Sequence, residues 1–442
     1  MLAAHDVTVA RAETAGNDYP DTYYSRTITH PRRFPALDER LQTEVCVIGG
    51  GLAGTATALA LAEAGRKVVL LEANRIGWGA SGRNGGFASP GLPGGMIEAI
   101  EELGVEKARE IYALTREAQA QMKARVARHA IACGPLTQGA LRCGMRRSPK
   151  RTVPDYVETM NRQLDAELVY WSAAQVGAVL KTERYRDGAF NPHSFAIHPL
   201  NFCRGMAVAV EALGGRVHEG AAVRELDLTG SRKRVRLGGS GEVSADHVVL
   251  ACGAYVERLF SPLSRATIPI ATFVASTPPL GRLLDQAIAT PHAISDFFAP
   301  TNYYRRLDDG RLLWGGRVFA LERSKPAIAR QLKQDITTFY PSLKEVTIET
   351  CWSGLMPYLR HKLPSFGSLG EGVWYASGFG GLGVVLTTLA GDLIAGGIVN
   401  KDDRWRLFAA FGLPYAAGKW GRIPAQLIYW REQLQQHFAR AT

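Results

Sequence analysis

Three glycines constrain this chain more than any other feature. They stand as Gly49-x-Gly51-x-x-Gly54. Val45 to Ile48, just before them, is an apolar run of the kind a buried parallel strand needs. Thr55 to Ala64 then reads as a helix, stopped by Gly65. Val68 to Leu71 is a second apolar run, and Glu72 ends it, 18 residues beyond Gly54. Residues 45–72 therefore read as one βαβ unit. Gly49 allows the tight turn, Gly51 lets a ligand approach the backbone, and Gly54 lets helix and strand pack closely. The helix N-terminus, with Leu52 and Ala53 in the turn that leads into it, presents N–H groups without intrahelical partners, which favours a phosphate. Glu72 is placed to accept from a ribose hydroxyl. Strand, turn, helix, strand and acid together specify a dinucleotide site on a doubly wound α/β sheet.

Length and charge narrow the rest. At roughly 150 residues per domain, 442 residues make two or three domains. With 46% apolar and 21% charged residues, the chain is ordinary globular material, not disordered, collagen-like or coiled-coil. The net charge is +11. The basic stretches, Arg142 to Arg151 (with Arg146, Arg147, Lys150 and Arg151) and Arg232 to Arg236, lack interleaved aromatics. They read as solvated loops, and no nucleic-acid partner is expected. Six cysteines without a C-x-x-C pair signal neither a zinc site nor a redox dithiol, and no metal is expected. Reduced thiols and the absence of a signal-like N-terminus fit a cytoplasmic protein. Val45 to Ala62 and Gly372 to Gly391 are long and uncharged, but their glycines suit strand–turn–helix units better than membrane spans.

Along the chain, residues 1–43 read as an irregular arm. A helix is expected over 98–129, another over 202–213, and strands at 216–218, 223–228, 233–237, 242–244 and 248–251. Strands at 267–276 and 302–317 belong to a second sheet, with a hairpin turn at Asp309-Gly310. Helices follow at 325–339 and 384–398, the second after a strand at 373–376. The domain reading is an arm (1–43), a discontinuous dinucleotide-binding domain (44–134, 196–265 and 351–400), a substrate domain on a mostly antiparallel sheet (135–195 and 266–350), and a helical tail (401–442).

Two further glycine-rich segments decide the cofactor. Gly79-Ala80-Ser81-Gly82-Arg83-Asn84-Gly85-Gly86 follows the second strand, where a bare NAD domain needs no such loop. It suits a flavin dinucleotide, with Ser81 and Arg83 as donors. Gly378-Phe379-Gly380-Gly381-Leu382-Gly383 leads into a late helix, whose dipole would stabilise negative charge on a reduced flavin.

The chain resembles the D-amino-acid-oxidase superfamily of FAD enzymes, and within it the gamma-glutamylputrescine oxidoreductase branch. The segments that carry the resemblance are Tyr23-Tyr24, the 45–86 region, Ile197-His198-Pro199, VVLACGAY at 248–255, IPIATFVASTPPL at 268–280, YYRRLDDGRLLWGG at 303–316, CWSGLMPYLRHKLPSFG at 351–367 and WYASGFGGLGV at 374–384. The resemblance implies that Gly49, Gly51, Gly54, Glu72, Ala73 and Arg75 hold the ADP half. It also implies that Ala80 to Gly86 reach the flavin, and that Val223 contacts the adenine. Ala251 and Gly253 would pass near the cofactor, and Gly380 to Val384 would face the flavin edge. The implied reaction is oxidation of a C–N bond of a primary or secondary amine, with oxygen or another electron acceptor. A secondary-amino-acid oxidase and a flavin-binding subunit without its own turnover are the alternatives.

Some positions depart from that family. Amino-acid members carry an Arg where this chain has Met356, within Trp352-Ser353-Gly354-Leu355-Met356-Pro357. The lysine that sarcosine oxidases use toward oxygen would fall near Phe273 or Val274. An amine, or a carboxylate gripped elsewhere than by the usual clamp, is therefore the expected substrate. Tyr303, Tyr304, Trp352, Arg305 and His361 are the pocket candidates, with Trp314 beside them. Strand alternation turns only one of Tyr303 and Tyr304 inward. Arg305 reads as a structural salt bridge and His198 as a helix-entry residue. Arg360, His361 and Lys362 form a basic knot that is either a substitute clamp or exposed surface. Non-covalent FAD is expected, with Cys351 as the one candidate for a covalent link. The basic tail 419–437 either packs on its own domain or docks on a membrane or another subunit, and the oligomeric state stays open.

Overall fold

The computed structural model describes residues 18–145, 152–297, 301–319 and 324–427. Val45–Ile48 is the C-terminal half of a longer strand, Arg40–Ile48. It lies at the centre of an eight-stranded sheet, between Glu242–Leu250 and Val68–Leu71. Val373–Ser377, Glu242–Leu250, Arg40–Ile48, Val68–Leu71 and Arg216–His218 run parallel in that order. Side chains alternate between two cores. Val45, Val47, Val68 and Leu70 pack in one, Cys46, Ile48, Val69 and Leu71 in the other. The residues expected as two strands, at 242–244 and 248–251, form one.

Helix Leu52–Glu63 is buried along nearly its whole length. It packs against Gly383–Val399 and Pro199–Ala212, so it has no solvent face and no amphipathic stripe. Gly383–Asn400 is long and apolar enough to cross a membrane, but 61% of it is buried inside the fold. The helix expected over 98–129 is two, Met96–Leu103 and Val105–Arg128. They join at Gly104, whose φ of +84° breaks the helical path.

The second sheet has nine strands. Its order begins Thr350–Tyr358, Ile268–Ser276, Leu312–Phe319, Tyr303–Arg306, Ala293–Asp296, Thr137–Met145, Tyr185–Ala196. Pairing is antiparallel except between Ala293–Asp296 and Thr137–Met145. One face packs on helix Lys325–Phe339 through Ile328, Leu332 and Ile336. The other faces the first domain. Thr350–Tyr358 is this sheet's edge strand, which corrects the boundary at 351 drawn from sequence, and Phe87–Ala88 also joins this sheet.

The arm is not irregular throughout. Tyr23–Arg26 is a short helix, and Tyr24 is completely buried. Two buried arginines clamp this segment. Arg75 pairs with Glu219 at 2.8 Å and Asp18 at 2.9 Å. Arg204 donates to the Tyr19 hydroxyl at 2.6 Å and the His30 carbonyl at 2.8 Å. In the tail, Ala425 packs beside Ile270 and Met356, on the chain's own second sheet. Residues 428–442, and Arg146, Arg147, Lys150 and Arg151, lie outside the described residues.

Candidate active site

One cavity of about 2940 Å³ separates the two sheets. A small-molecule pocket usually has roughly 300–1,000 Å³, so there is room for a dinucleotide together with a substrate. The cavity opens at the C-terminal ends of the parallel strands, where ligands bind in open α/β sheets. Gly49, Gly51, Leu52 and Ala53 line it. A Cβ on Gly54 would lie 1.8 Å from the Gly49 carbonyl oxygen, so only glycine lets this helix start so close to the strand. Leu52 N–H is taken by Ser81 Oγ at 2.9 Å, which leaves the Ser81 proton free to donate.

Glu72 lines the same end of the cavity. Its carboxylate accepts from Gly50 N–H at 2.7 Å and Asn74 N–H at 2.8 Å. Burial still outweighs these bonds and pushes its pKa up to about 7. Ala73, Gly79, Ala80, Arg83, Asn84, Gly85, Val223, Ala251, Gly253 and Gly380 to Val384 complete the first-domain wall. Asn84 folds the loop: its Nδ2 donates to the Ala80 and Ser81 carbonyls, and its Oδ1 accepts from Gly86 N–H. Helix Gly383–Val399 has no side-chain cap. Its first-turn N–H groups thus face the cavity without intrahelical partners.

The facing wall comes from the second sheet. Phe273, Tyr303, Leu355, Met356 and Tyr358 line it. Tyr303 packs edge-on against Phe87 at 5.7 Å, and a Cβ on Gly85 would meet its ring at 2.8 Å. Burial pushes the Tyr303 hydroxyl up to about 12 and raises Tyr358 as well. Among the described residues, no histidine lines the cavity.

A family model described as FAD dependent oxidoreductase matches residues 44–396. The chain belongs to this FAD-dependent oxidoreductase family. Gamma-glutamylputrescine oxidoreductase of Escherichia coli is 32% identical over 92% of this chain and 96% of its own. The oxidoreductase OrdL of Haemophilus influenzae is 30% identical over 92% and 94%. The solved glycine oxidase of Bacillus cereus shares the fold, with a TM-score of 0.67 and 20% identity, over 83% of this chain and 97% of that one. As a member of this FAD family, the protein is an enzyme that uses FAD, and its two-sheet architecture is that of the family.

Several residues expected at the site of this family member lie elsewhere. Arg75 does not line the cavity; it is spent on Glu219 and Asp18. Gly54 and Gly86 shape the backbone from behind, and a Cβ on Gly86 would lie 2.1 Å from the Ile197 carbonyl oxygen. Of the two tyrosines, Tyr303 faces the cavity. Tyr304 faces the sheet's own core, stacked 4.2 Å from Trp314 and bonded to the Tyr340 hydroxyl at 2.7 Å. Trp352 is buried and donates to the Arg83 carbonyl at 2.8 Å. Arg305 donates to the Gly85 and Ile197 carbonyls at 3.0 and 2.9 Å, so it ties two loops together, with no carboxylate partner among the described residues. Arg83 lines the cavity but also donates to the Trp78 and Ser353 carbonyls, a structural tie its loop position did not announce.

His361 is turned to the Leu363 N–H at 3.0 Å; of the basic knot, only Lys362 reaches the cavity, at its exposed mouth. Cys351 points into the core beneath the sheet and does not line the cavity, which removes it as a flavin attachment point. His198 caps helix Pro199–Ala212, accepting from Asn201 N–H at 3.1 Å. Sequence reading missed Tyr112, Asn191 and Ser194, and assigned Arg142 to a solvated loop. All four line the cavity. Strand alternation over 137–145, with Leu141 and Cys143 facing the core, held the signal for Arg142.

Proposed function

We propose that this enzyme oxidises the C–N bond of a primary or secondary amine that carries no carboxylate on the reacting carbon. The observation that carries the reading is the apolar wall at Phe273, Leu355 and Met356, set in a chain similar over nearly its whole length to gamma-glutamylputrescine oxidoreductase. Met356 is only 8% exposed and packs against Ile270, so no cation waits there for an α-carboxylate.

The residues present fit FAD. Gly51 and Ala53 would hold the pyrophosphate through N–H groups, with the Ser81 hydroxyl, which occupies the Leu52 N–H, as a further donor, and Glu72 would accept from the ribose. Val223 would border the adenine, and Ser81 to Gly85 with Gly380 to Val384 would flank the flavin. Bound there, FAD supplies the hydride acceptor for turning the amine into an imine, which water hydrolyses to a carbonyl compound and ammonia or an amine. The protein's own contribution is placement and dryness. Tyr303, Phe273 and Met356 press the substrate's alkyl chain toward the first domain and keep water from the reacting carbon. The amine must arrive neutral, because burial keeps the tyrosine hydroxyls of this wall protonated. We place this activity in the cytoplasm.

Anaerobic mixing of the yellow holoenzyme with gamma-glutamylputrescine, glycine and sarcosine tests the reading. Flavin bleaching by the first, at least about a hundredfold faster at equal concentration than by the others, is expected. Faster bleaching by glycine or sarcosine would assign the enzyme to amino acids. No bleaching by any amine would favour a flavin-binding subunit.

A further inference from the structure

Arg142 stands out among the cavity's cations. Its guanidinium lies 4.2 Å over the Phe297 ring and 5.9 Å from Tyr156, and these two rings pack edge-on against each other. Among the described residues no carboxylate pairs with it. An arginine held by aromatic faces keeps its N–H edge free for a planar anion. The cavity's own acids are Glu72, Glu98, Glu101 and Glu257. Glu98 is folded back on its helix start, where a Cβ on Gly95 would lie 2.3 Å from its Oε2. Glu167, below the strand, is held by Arg116 at 3.0 Å and His193 at 2.7 Å.

Donors surround Arg142. Asn191 Oδ1 accepts from the His193 and Ser194 N–H groups, which leaves its NH2 to donate. Tyr112 and Ser194 are 2% and 1% exposed, line the cavity, and their hydroxyls have no hydrogen-bond partner among the described residues. Asn191 and Arg116 lie near the Tyr112 hydroxyl, without bonding geometry. Thr152 and Val153, at the start of helix Val153–Leu164, line the same lobe. Buried hydroxyls without partners are costly, and a bound acceptor would remove that cost.

Position along the sheet gives the reach. Arg142 pairs with Ser295, and Ser295 with Tyr303. Two strand spacings of roughly 4.8 Å put Arg142 about 10 Å from Tyr303.

We propose that the lobe formed by Arg142, Asn191, Ser194 and Tyr112 binds the carboxylate of a substrate whose oxidised amine lies at the other end of a chain of about 10 Å. The inference rests on the amine-oxidation reading and names its substrate class: an amine with a distant carboxylate.

The test uses two pairs of probes on the holoenzyme. N-butylglutaramate has the carboxylate and the alkyl chain but no amine, and its methyl ester lacks the charge. Calorimetric titration should show the acid binding the native enzyme at least about tenfold more tightly than the ester. Arg142→Met should abolish that preference while leaving the ester's affinity unchanged, and Ser194→Ala or Tyr112→Phe should reduce it several-fold. No preference in the native enzyme, or equal loss of both probes in a flavin-retaining Arg142→Met, would overturn the subsite. If that variant does not fold, Arg142→Lys decides by the same ratio: a partial preference supports the subsite and an unchanged one overturns it. The reaction is tested separately, by whether N-(4-aminobutyl)glutaramate bleaches the flavin. Failure there would sink amine oxidation without moving the acid-to-ester ratio.

Discussion

The two walls of the cavity are built on different principles. The first-domain wall is mostly backbone. Its glycine turn, loop 79–86 and late helix start present N–H groups fixed by secondary structure, and the side chains there mainly hold the loops in place. The second-sheet wall is mostly side chains, set on strands far apart in sequence. Phe273, Tyr303 and Met356 come from three strands, and Arg142 from a fourth. A backbone site follows from local geometry. A side-chain wall is free to change, and the proposed amine reading puts substrate choice there.

Damage to the first wall should abolish the holoenzyme, whereas damage to the second should change what it oxidises. The largest effect is expected from Gly54→Val. Its Cβ meets a backbone oxygen that cannot move aside, so a stability loss of about 3 kcal/mol or more is expected, with no bound flavin. Urea unfolding and the visible spectrum measure both. A yellow, stable variant would remove the cradle from the account.

Met356→Arg probes the other wall. The variant should stay yellow, because Met356 lies outside the cradle. An unpaired cation there is costly, so flavin reduction by an amine should slow at least about tenfold, while glycine gains affinity. Equal rates for amine and glycine before and after the change would show that this position does not set the choice.

Glu72 links the cradle to pH. Its folded pKa is about 7, against roughly 4.3 in an unfolded chain. Between those values the native state binds more protons. Stability of the flavin-free protein should therefore fall as pH rises from about 4 to about 7. Because Glu72 lines a cavity that water reaches, about 1–2 kcal/mol is expected rather than the full conversion. Glu72→Gln should flatten the profile of Tm against pH, and an unchanged slope would contradict the assignment.

The smallest effect belongs to His198. Burial holds its pKa down to about 3. Its contribution is present above roughly pH 6.5 and is lost as pH falls toward 3. Asparagine also caps helices, so His198→Asn should cost within about 1 kcal/mol and leave activity at pH 7.5 unchanged. Loss of activity in that variant would make His198 part of the chemistry.

The same contrast explains what the sequence disclosed. The βαβ unit was legible because strand, glycine turn, helix and acid are neighbours in the chain. Tyr303 and Tyr304 were separable only as alternatives, since alternation gives opposite faces but not which face is the cavity. Arg75 looked like a ligand residue by position, yet its partner Glu219 comes from a distant turn. Thr350–Tyr358 went to the wrong domain because its pairing with Ile268–Ser276 joins segments far apart in sequence. Arg142 read as part of a basic loop because its aromatic braces, Tyr156 and Phe297, are also remote.

The central claim is that the second wall places a neutral amine and supplies no titrating base. Stopped-flow reduction of the flavin across pH, with two amines whose pKa values differ by about two, tests it directly. The rising limb of the apparent second-order rate constant should move with the amine's own pKa. A limb fixed at one pH for both amines would reveal an enzyme base and contradict the account.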